Sequence, residues 1–372
     1  MNRYATDRLA PLLVLLLATT GCSLGPVRAM FTGDVTARGA IKTILAADNS
    51  ASPVQARRLP SEPRCATKIA LIDVDGLLVN RNLTGLGSLG ENPVALFREK
   101  LDAAAARDDV CAVVLRINSP GGGVTACDIM RRDLEQFRLQ SNKPVVACLM
   151  DVGAGGAYYL ATAADVIHAH PTTLTGGMGV IMNLYDVQDA MSQFNIVANT
   201  IRSGEKVDMG SPARLLEEDE LIILERIAGE YHERYRQSVK QSRANLTIAL
   251  PKELPETDDL DDGEQSSSVH ANTIFDGRVF AASHAEKLGL VDSLGYVDEA
   301  IAAAEGLAGV AASQTIVFKR NNDRALTPYD ITPNQAQASL LSISIPGLDR
   351  SQLPTFLYLW QPDPLYEKYG GP

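Results

Sequence analysis

Short apolar runs alternate with amphipathic stretches along the first half of the chain. Ile69 to Val74, Ala112 to Ile117 and Val145 to Leu149 are mostly apolar, as buried strands are. Asn92 to Ala106 and Thr125 to Leu139 lie between these runs and carry apolar residues at helical spacing. Strands that alternate with helices predict a parallel sheet covered by helices, and therefore an α/β fold.

The second half of the chain predicts a long helix and an exposed loop. Apolar residues recur every three or four positions from Leu215 to Arg243, so this helix should pack on the core or on a neighbouring subunit. Prolines, acids and serines interrupt the pattern at 251–268, which we interpret as an acidic loop insertion. Near the C-terminus, Tyr358 and Trp360 are expected to dock on the protein itself rather than on a ligand.

The N-terminus has the layout of an export signal. Arg3 and Arg8 precede an apolar run, 9–18, that is too short to span a membrane. Gly21-Cys22 resembles the junction at which bacterial lipoproteins are cleaved and lipidated, so Cys22 is the expected lipidation site. Ordinary cleavage near this point and an uncleaved anchor are the alternatives. The expected location is the periplasmic or outer face of a membrane, with a lipid anchor.

Four segments follow from these patterns. They are an export signal at 1–21, a tether at 22–66, a folded domain at 67–306 that contains the acidic insertion, and a C-terminal extension at 307–372.

Composition excludes some functions. The 372 residues are 45% hydrophobic, enough for a sizeable core, and the net charge of −11 argues against nucleic acid, which needs a basic face. The five cysteines show no metal-binding spacing, and His168 with His170 lacks a third ligand, so neither metal nor cofactor is predicted. In an exported protein Cys65 and Cys111 could form a disulfide, or could simply be ordinary buried thiols.

A glycine-rich turn is the first candidate for chemistry. Asn118-Ser119-Pro120 and the three glycines after it follow a predicted strand and precede a predicted helix. Gly121 and Gly122 can turn backbone N–H groups toward a carbonyl oxygen, as an oxyanion hole requires. The carboxyl end of a parallel strand is also where open α/β sheets place their sites.

The segments INSPGGGVTA at 117–126 and ATAADVIHAHPTTLTGGMGV at 161–180 resemble the signal peptide peptidase A (SppA) family of serine peptidases. The resemblance runs from about Lys68 to Gly306. It implies a ClpP/crotonase-like α/β fold of repeated βαβ units with a long packing helix, in the short single-domain form. Relatives use a serine–lysine dyad and assemble into rings that degrade membrane-derived peptides.

The dyad positions carry other residues here. In the family the nucleophilic serine stands three residues before the first tyrosine of Ser-Gly-Gly-Tyr-Tyr, which places Gly155 at that position, followed by Gly156 as an oxyanion donor. The lysine of Ser-Gly-x-x-Lys-Asp-x-x-Ser-Pro falls on Val207 when that pattern is matched to 203–212. Lys206 is a possible displaced base, but adjacent side chains of an extended segment point to opposite faces, so we expect it in solvent.

Three functions compete. The preferred hypothesis is an exported SppA-like homologue without its dyad, a non-catalytic subunit that binds peptides or supports a homo-oligomeric ring or a mixed ring with an active paralogue. The second is an active serine endopeptidase that degrades signal peptides or membrane-derived peptides through a relocated nucleophile or base; Ser119, Thr173 and Thr175 carry the nearby hydroxyls, and Ser119 is expected to shape the loop. The third, crotonase-like chemistry on an acyl thioester, conflicts with export because coenzyme A is cytosolic.

Overall fold

A computed structural model describes residues 52–59, 65–81, 91–250, 273–320 and 356–360. All of these lie in one compact unit, Ala46–Pro372. The predicted export signal, Cys22 and the acidic insertion at 251–268 lie outside the described residues.

The centre of the fold is a parallel sheet built from the apolar runs of the first half. Strands β2 (Lys68–Leu78), β3 (Val110–Gly123), β4 (Val145–Ala154) and β5 (Val166–Ala169) lie side by side in this order, each parallel to the next. Helices α1 (Pro93–Ala105) and α2 (Val124–Ser141) connect the first three strands. The predicted strands and helices are confirmed, and with them the α/β class with a mostly parallel sheet.

Shorter strands and further helices complete the described part of the chain. The strands are β1 (Gln55–Arg58), β6 (Leu174–Gly176), β7 (Val279–Ala281), β8 (Ser293–Leu294), β9 (Gln314–Lys319) and β10 (Leu357–Leu359). The helices are α3 (Gly156–Ala161), α4 (Gln188–Gln193), α5 (Glu218–Ser242), α6 (Ala282–Lys287) and α7 (Val297–Ala308). The sheet runs β1-β9-β2-β3-β4-β5-β8; β10 lies antiparallel on β3, and β6 joins β4 to β7.

Both faces of the sheet are covered. Successive residues of a strand point to opposite sides, so each central strand contributes side chains to both cores. One face, with Ile72 and Leu115, packs against α1, α2, α3 and Tyr235 of α5. The other, with Leu71 and Val114, packs against α7. This arrangement explains why the central strands are apolar throughout rather than alternating.

The sheet extends beyond the limits of 67–306 predicted for the domain. Strand β1 belongs to the predicted tether and pairs antiparallel with β9, which belongs to the predicted C-terminal extension. Three of the four residues of β1 are exposed, so this edge strand has no apolar period that would have revealed it.

Two other expectations concern single elements. The long helix predicted at Leu215 to Arg243 is confirmed as α5, which begins three residues later with a capping box.

Cys65 and Cys111 are free thiols, and the Cys111 thiol donates to the backbone oxygen of Lys68. Within the described ranges, every helix is too short or too polar to cross a bilayer.

Candidate active site

Gly155 forms a sharp turn between strand β4 and helix α3. Its backbone has φ 53° and ψ −126°, a region that favours glycine. Its N–H donates to the oxygen of Gly176 at 2.9 Å, and its carbonyl accepts from the N–H of Tyr159 at 3.0 Å and from the hydroxyl of Tyr235 at 2.5 Å. The turn is therefore held firmly although it carries no side chain. Sharp strand-to-helix turns of this kind present the nucleophile in many hydrolases.

The glycine-rich end of β3 lies beside this turn. A Cβ placed on Gly121 would lie 2.5 Å from the nitrogen of Gly156, so these two predicted oxyanion residues meet next to Gly155. Gly122 continues the same strand. The structure thus brings the predicted oxyanion glycines together around the position that the family pattern assigns to the nucleophile.

Nearby hydroxyl groups are bound to the backbone. Ser119 is fully buried and its oxygen accepts the N–H of Gly121 at 3.1 Å, so it shapes the turn as expected. Thr173 donates to the oxygen of Leu149 at 3.0 Å, and Thr175 to the oxygen of Gly153 at 2.7 Å. None of these three hydroxyls has a basic side chain among its hydrogen-bond partners within the described residues.

A buried thiol also lies close to the turn, and sequence reasoning missed it. A Cβ on Gly156 would lie 2.2 Å from the sulfur of Cys127, whose side chain is fully buried. Burial raises the pKa of the Cys127 thiol, with a smaller contribution from neighbouring Asp128. Since the thiolate is the reactive form, Cys127 has the character of a structural cysteine.

The side chains at and beside the base position are solvent-exposed or ion-paired. The Val207 side chain is 68% exposed. Lys206 binds Glu217 and Asp219, each with a closest distance of 2.7 Å, and the hydrogen bonds that it donates to Asp219 and Glu217 raise the pKa of its amine. A general base needs the opposite shift. The segment 205–210 forms turns rather than the expected extended strand, so Lys206 is directed by its ion pairs and not by strand alternation.

A segment from the far C-terminus occupies the groove beside Gly155. Strand β10 lies antiparallel on the end of β3, with Tyr358 opposite Gly122. On its other edge, Leu357 exchanges two backbone hydrogen bonds of 2.8 and 2.9 Å with Ile181. The expectation that the terminal aromatic residues dock on their own protein is met by Tyr358, and the docking surface is the groove of the candidate site.

The Tyr358 side chain fills an aromatic pocket next to the turn. Its ring is fully buried, with its centroid 4.8 Å from that of Tyr235 and 5.3 Å from that of Tyr159. Its hydroxyl donates to the backbone oxygen of Tyr231 at 2.7 Å. Sequence patterns marked Tyr358 as a docking residue and Tyr159 as part of the family-like tyrosine pair, but they gave no signal for a pocket.

Comparison with known proteins places this site in context. The sequence profile of Peptidase family S49 matches residues 137–252, which include the Gly155 turn and Val207. The chain is 28% identical to the chloroplastic serine protease SPPA of Arabidopsis thaliana over 254 residues, 68% of this chain and 33% of that protein. It is 30% identical to protease 4 of Salmonella typhi over 241 residues, 64% of this chain and 34% of that protein. The chain therefore spans about a third of the length of these two relatives.

Among solved structures, a mutant form of the 1510-N membrane-bound stomatin-specific protease is similar, with a TM-score of 0.35 and 14% sequence identity. The similarity covers 63% of this chain and 84% of that one.

Proposed function

Since the chain is an SppA-like member of the S49 peptidase family, we propose that it binds peptides in the groove beside Gly155 without hydrolysing them. The observation that carries this proposal is the glycine at the turn: the backbone geometry of a nucleophile turn is present, and no reacting atom is. The predicted base position supports it too, because Val207 is exposed and has no basic group, and neighbouring Lys206 is held in ion pairs.

Chemical magnitudes favour binding over turnover. Removing the nucleophile of a serine protease costs on the order of 10⁶ in turnover, and the remaining oxyanion donors and binding contacts retain about 10³ to 10⁴ over water. Peptide binding does not depend on the nucleophile, because grooves that accept an extended strand use main-chain hydrogen bonds and side-chain pockets. The groove between β3 and Ile181 offers both kinds of contact, and β10 makes them in this structure.

The proposal includes a location and an assembly. The N-terminal sequence supports export and anchoring through a lipidated Cys22. Exposed apolar side chains support association with further copies or with an active paralogue in a mixed ring; they include Phe194 (75% exposed), Ile201 (100%), Leu215 (67%) and Ile222 (60%).

Hydrolysis of casein or of a signal peptide by the natural chain tests this proposal directly. We expect no products from the natural chain, and we expect cleavage from the variant that combines Gly155→Ser with Val207→Lys, because that variant restores both members of the dyad. The combination of Gly155→Ala with Val207→Lys is the matched control, since it adds the same backbone strain without a hydroxyl.

The natural chain is also treated with a fluorophosphonate probe, and its intact mass is measured. An unchanged mass agrees with a groove that lacks a nucleophile. Cleavage by the natural chain, with loss of activity in Ser119→Ala or Lys206→Ala, would instead establish an active serine endopeptidase with a relocated nucleophile or base.

A further inference from the structure

The carbonyl group of Tyr358 occupies the place where a reacting carbonyl would be expected. Its oxygen is 2.0 Å from where a Cβ of Gly121 would lie, 2.6 Å from that of Gly155 and 3.2 Å from that of Gly156. These three glycines are the predicted oxyanion and nucleophile positions. The C-terminal strand therefore lies in the groove in the register of a substrate, with Tyr358 as the residue that contributes the central carbonyl.

The side chains of β10 alternate between two different walls, as those of a strand must. Leu357 and Leu359 pack with Leu77 and Ile181 in a small apolar cluster. Tyr358 points the opposite way, into the main core. A Leu-Tyr-Leu sequence thus matches one aliphatic wall and one aromatic pocket.

The aromatic pocket contains a fixed hydrogen-bond acceptor. The backbone oxygen of Tyr231 accepts the Tyr358 hydroxyl, while the hydroxyls of Tyr159 and Tyr235 bind Asp128 and the Gly155 carbonyl. A site built to hydrogen-bond a hydroxyl discriminates against an analogue without one, because the buried partner loses its bond. The pocket is therefore suited to a tyrosine more than to a phenylalanine.

We propose that the groove between β3 and Ile181 is a binding site for extended peptides that carry a tyrosine flanked by aliphatic residues, and that the chain's own residues 356–360 are its resident, competing occupant. This inference rests on the proposed peptide-binding function and adds the class of ligand and its internal competitor. The sequence requirement follows from the two walls, and the competition follows from the shared backbone edges.

Occupation of the groove by residues 356–360 should weaken the apparent affinity of a free peptide. Residues 356–360 belong to the same chain as the groove, so they compete at an effective concentration on the order of 1 mM and exclude a free peptide of equal intrinsic affinity at lower concentrations. The apparent dissociation constant of a free peptide equals its intrinsic constant divided by the fraction of open grooves. Weakening the internal occupant should therefore tighten the binding of an external peptide.

The test uses a fluorescein-labelled peptide with the sequence of residues 354–362, Pro-Thr-Phe-Leu-Tyr-Leu-Trp-Gln-Pro. Its dissociation constant is measured by fluorescence anisotropy with the full chain and with the full chain carrying Tyr358→Ala. We expect binding at least about ten-fold tighter to the variant, since its groove is more often open. Leu139→Ala, which shortens a side chain that is 84% exposed near the C-terminal end of α2, should leave the constant unchanged.

A milder variant keeps the test decisive if Tyr358→Ala does not fold. Tyr358→Phe preserves the ring and removes only the hydroxyl bond to Tyr231, for which we expect about five-fold tighter peptide binding. In the labelled peptide, Tyr358→Phe should weaken binding to either protein by a similar factor, and Tyr358→Ala should abolish it.

Equal affinity of the labelled peptide for the natural chain and for both folded variants overturns the proposal, as does equal binding of the peptide carrying Tyr358→Ala. Mass spectrometry of the recovered peptide separates this inference from the proposed function. A peptide that binds as expected but is cut refutes the absence of hydrolysis and leaves the groove assignment intact. A peptide that is neither bound nor cut refutes the proposed ligand class and its internal competitor, and leaves the proposed absence of hydrolysis intact.

Discussion

Among the individual residues, Gly155 combines a predicted role with an unusual backbone. The family pattern assigns it to the nucleophile position, and its backbone has a positive φ that side chains rarely adopt outside strained turns. Two backbone oxygens, of Pro120 and Tyr358, occupy the space that a Cβ would need. The glycine is thus adapted to a groove that already contains a peptide carbonyl.

We expect Gly155→Ala to lower the free energy of unfolding by about 1–3 kcal/mol or more, because it adds strain at a positive φ and a Cβ 2.6 Å from the Tyr358 oxygen. Urea denaturation measures the change. Gly229→Ala in α5 is the control: a Cβ there meets no atom within 4 Å, so alanine should stabilise the helix by about 1 kcal/mol. A neutral Gly155→Ala would show that the turn relaxes freely.

Among the helices and strands, helix α5 fixes the site from one side. Its start is held by a capping box in which the Glu220 side chain accepts the N–H of Glu217, and Arg214 binds the same carboxylate at 2.6 Å. Further along the helix, Tyr231 and Tyr235 supply the acceptor for Tyr358 and the donor for Gly155. The capping box and the tyrosine pocket therefore belong to the same helix, so the cap helps to position the pocket.

The start of α5 should depend on pH through Glu220. Hydrogen bonds from Arg214 lower the pKa of Glu220 from 4.5 to about 2, so its stabilising contribution is complete above pH 4.5 and is lost as the pH falls toward 2. We expect Glu220→Gln to lower the melting temperature by about 3 °C at pH 7 and by progressively less below pH 4.5.

Circular dichroism melts at about pH 7, 4 and 3 measure this difference, since the first value lies above the range in which the contribution is lost and the other two lie within that range. Glu218→Gln, in the same first turn but exposed, is the matched control and should change the melting temperature little at any pH. A difference for Glu220→Gln that is constant across the series would contradict a role for its charge.

Across the molecule, the exposed apolar side chains are concentrated in and after the segment that follows the site. Phe194, Ile201 and Leu215 are at least 67% exposed, and Ile222 on α5 is 60% exposed. Apolar groups that face water in a monomer are removed from water when subunits associate, which is the main favourable term in assembly. The proposed oligomer therefore uses this region.

We expect Leu215→Glu to weaken self-association at least about ten-fold, because it places a charge in an apolar contact. Sedimentation velocity over a concentration series measures the dissociation constant. Leu139→Glu changes another exposed leucine, 84% exposed on α2, and should leave association unchanged. A natural chain that stays monomeric at every concentration would contradict the proposed assembly.

Much of the fold could be predicted because its central strands are apolar on both faces, and such runs are visible without knowing their partners. Ile69 to Val74, Ala112 to Ile117 and Val145 to Leu149 lie within β2, β3 and β4. The edge strand β1 could not be predicted, since its four residues are polar or small and its partner lies far away along the chain. Strand β10 has three residues, too few for any period to be read.

The sequence alone establishes that position 155 has no hydroxyl or thiol and that position 207 has no lysine. The residue type at a position can be read without a structure. Sequence patterns also placed the candidate oxyanion glycines Gly121 and Gly122 at the end of a parallel strand. The folded chain was needed to learn that Lys206 binds Glu217 and Asp219, and that Tyr358 fills the groove beside Gly155. The Tyr358 contacts join distant parts of the chain, and the Lys206 ion pairs span 11 and 13 residues, so their geometry arises from packing that no local pattern encodes.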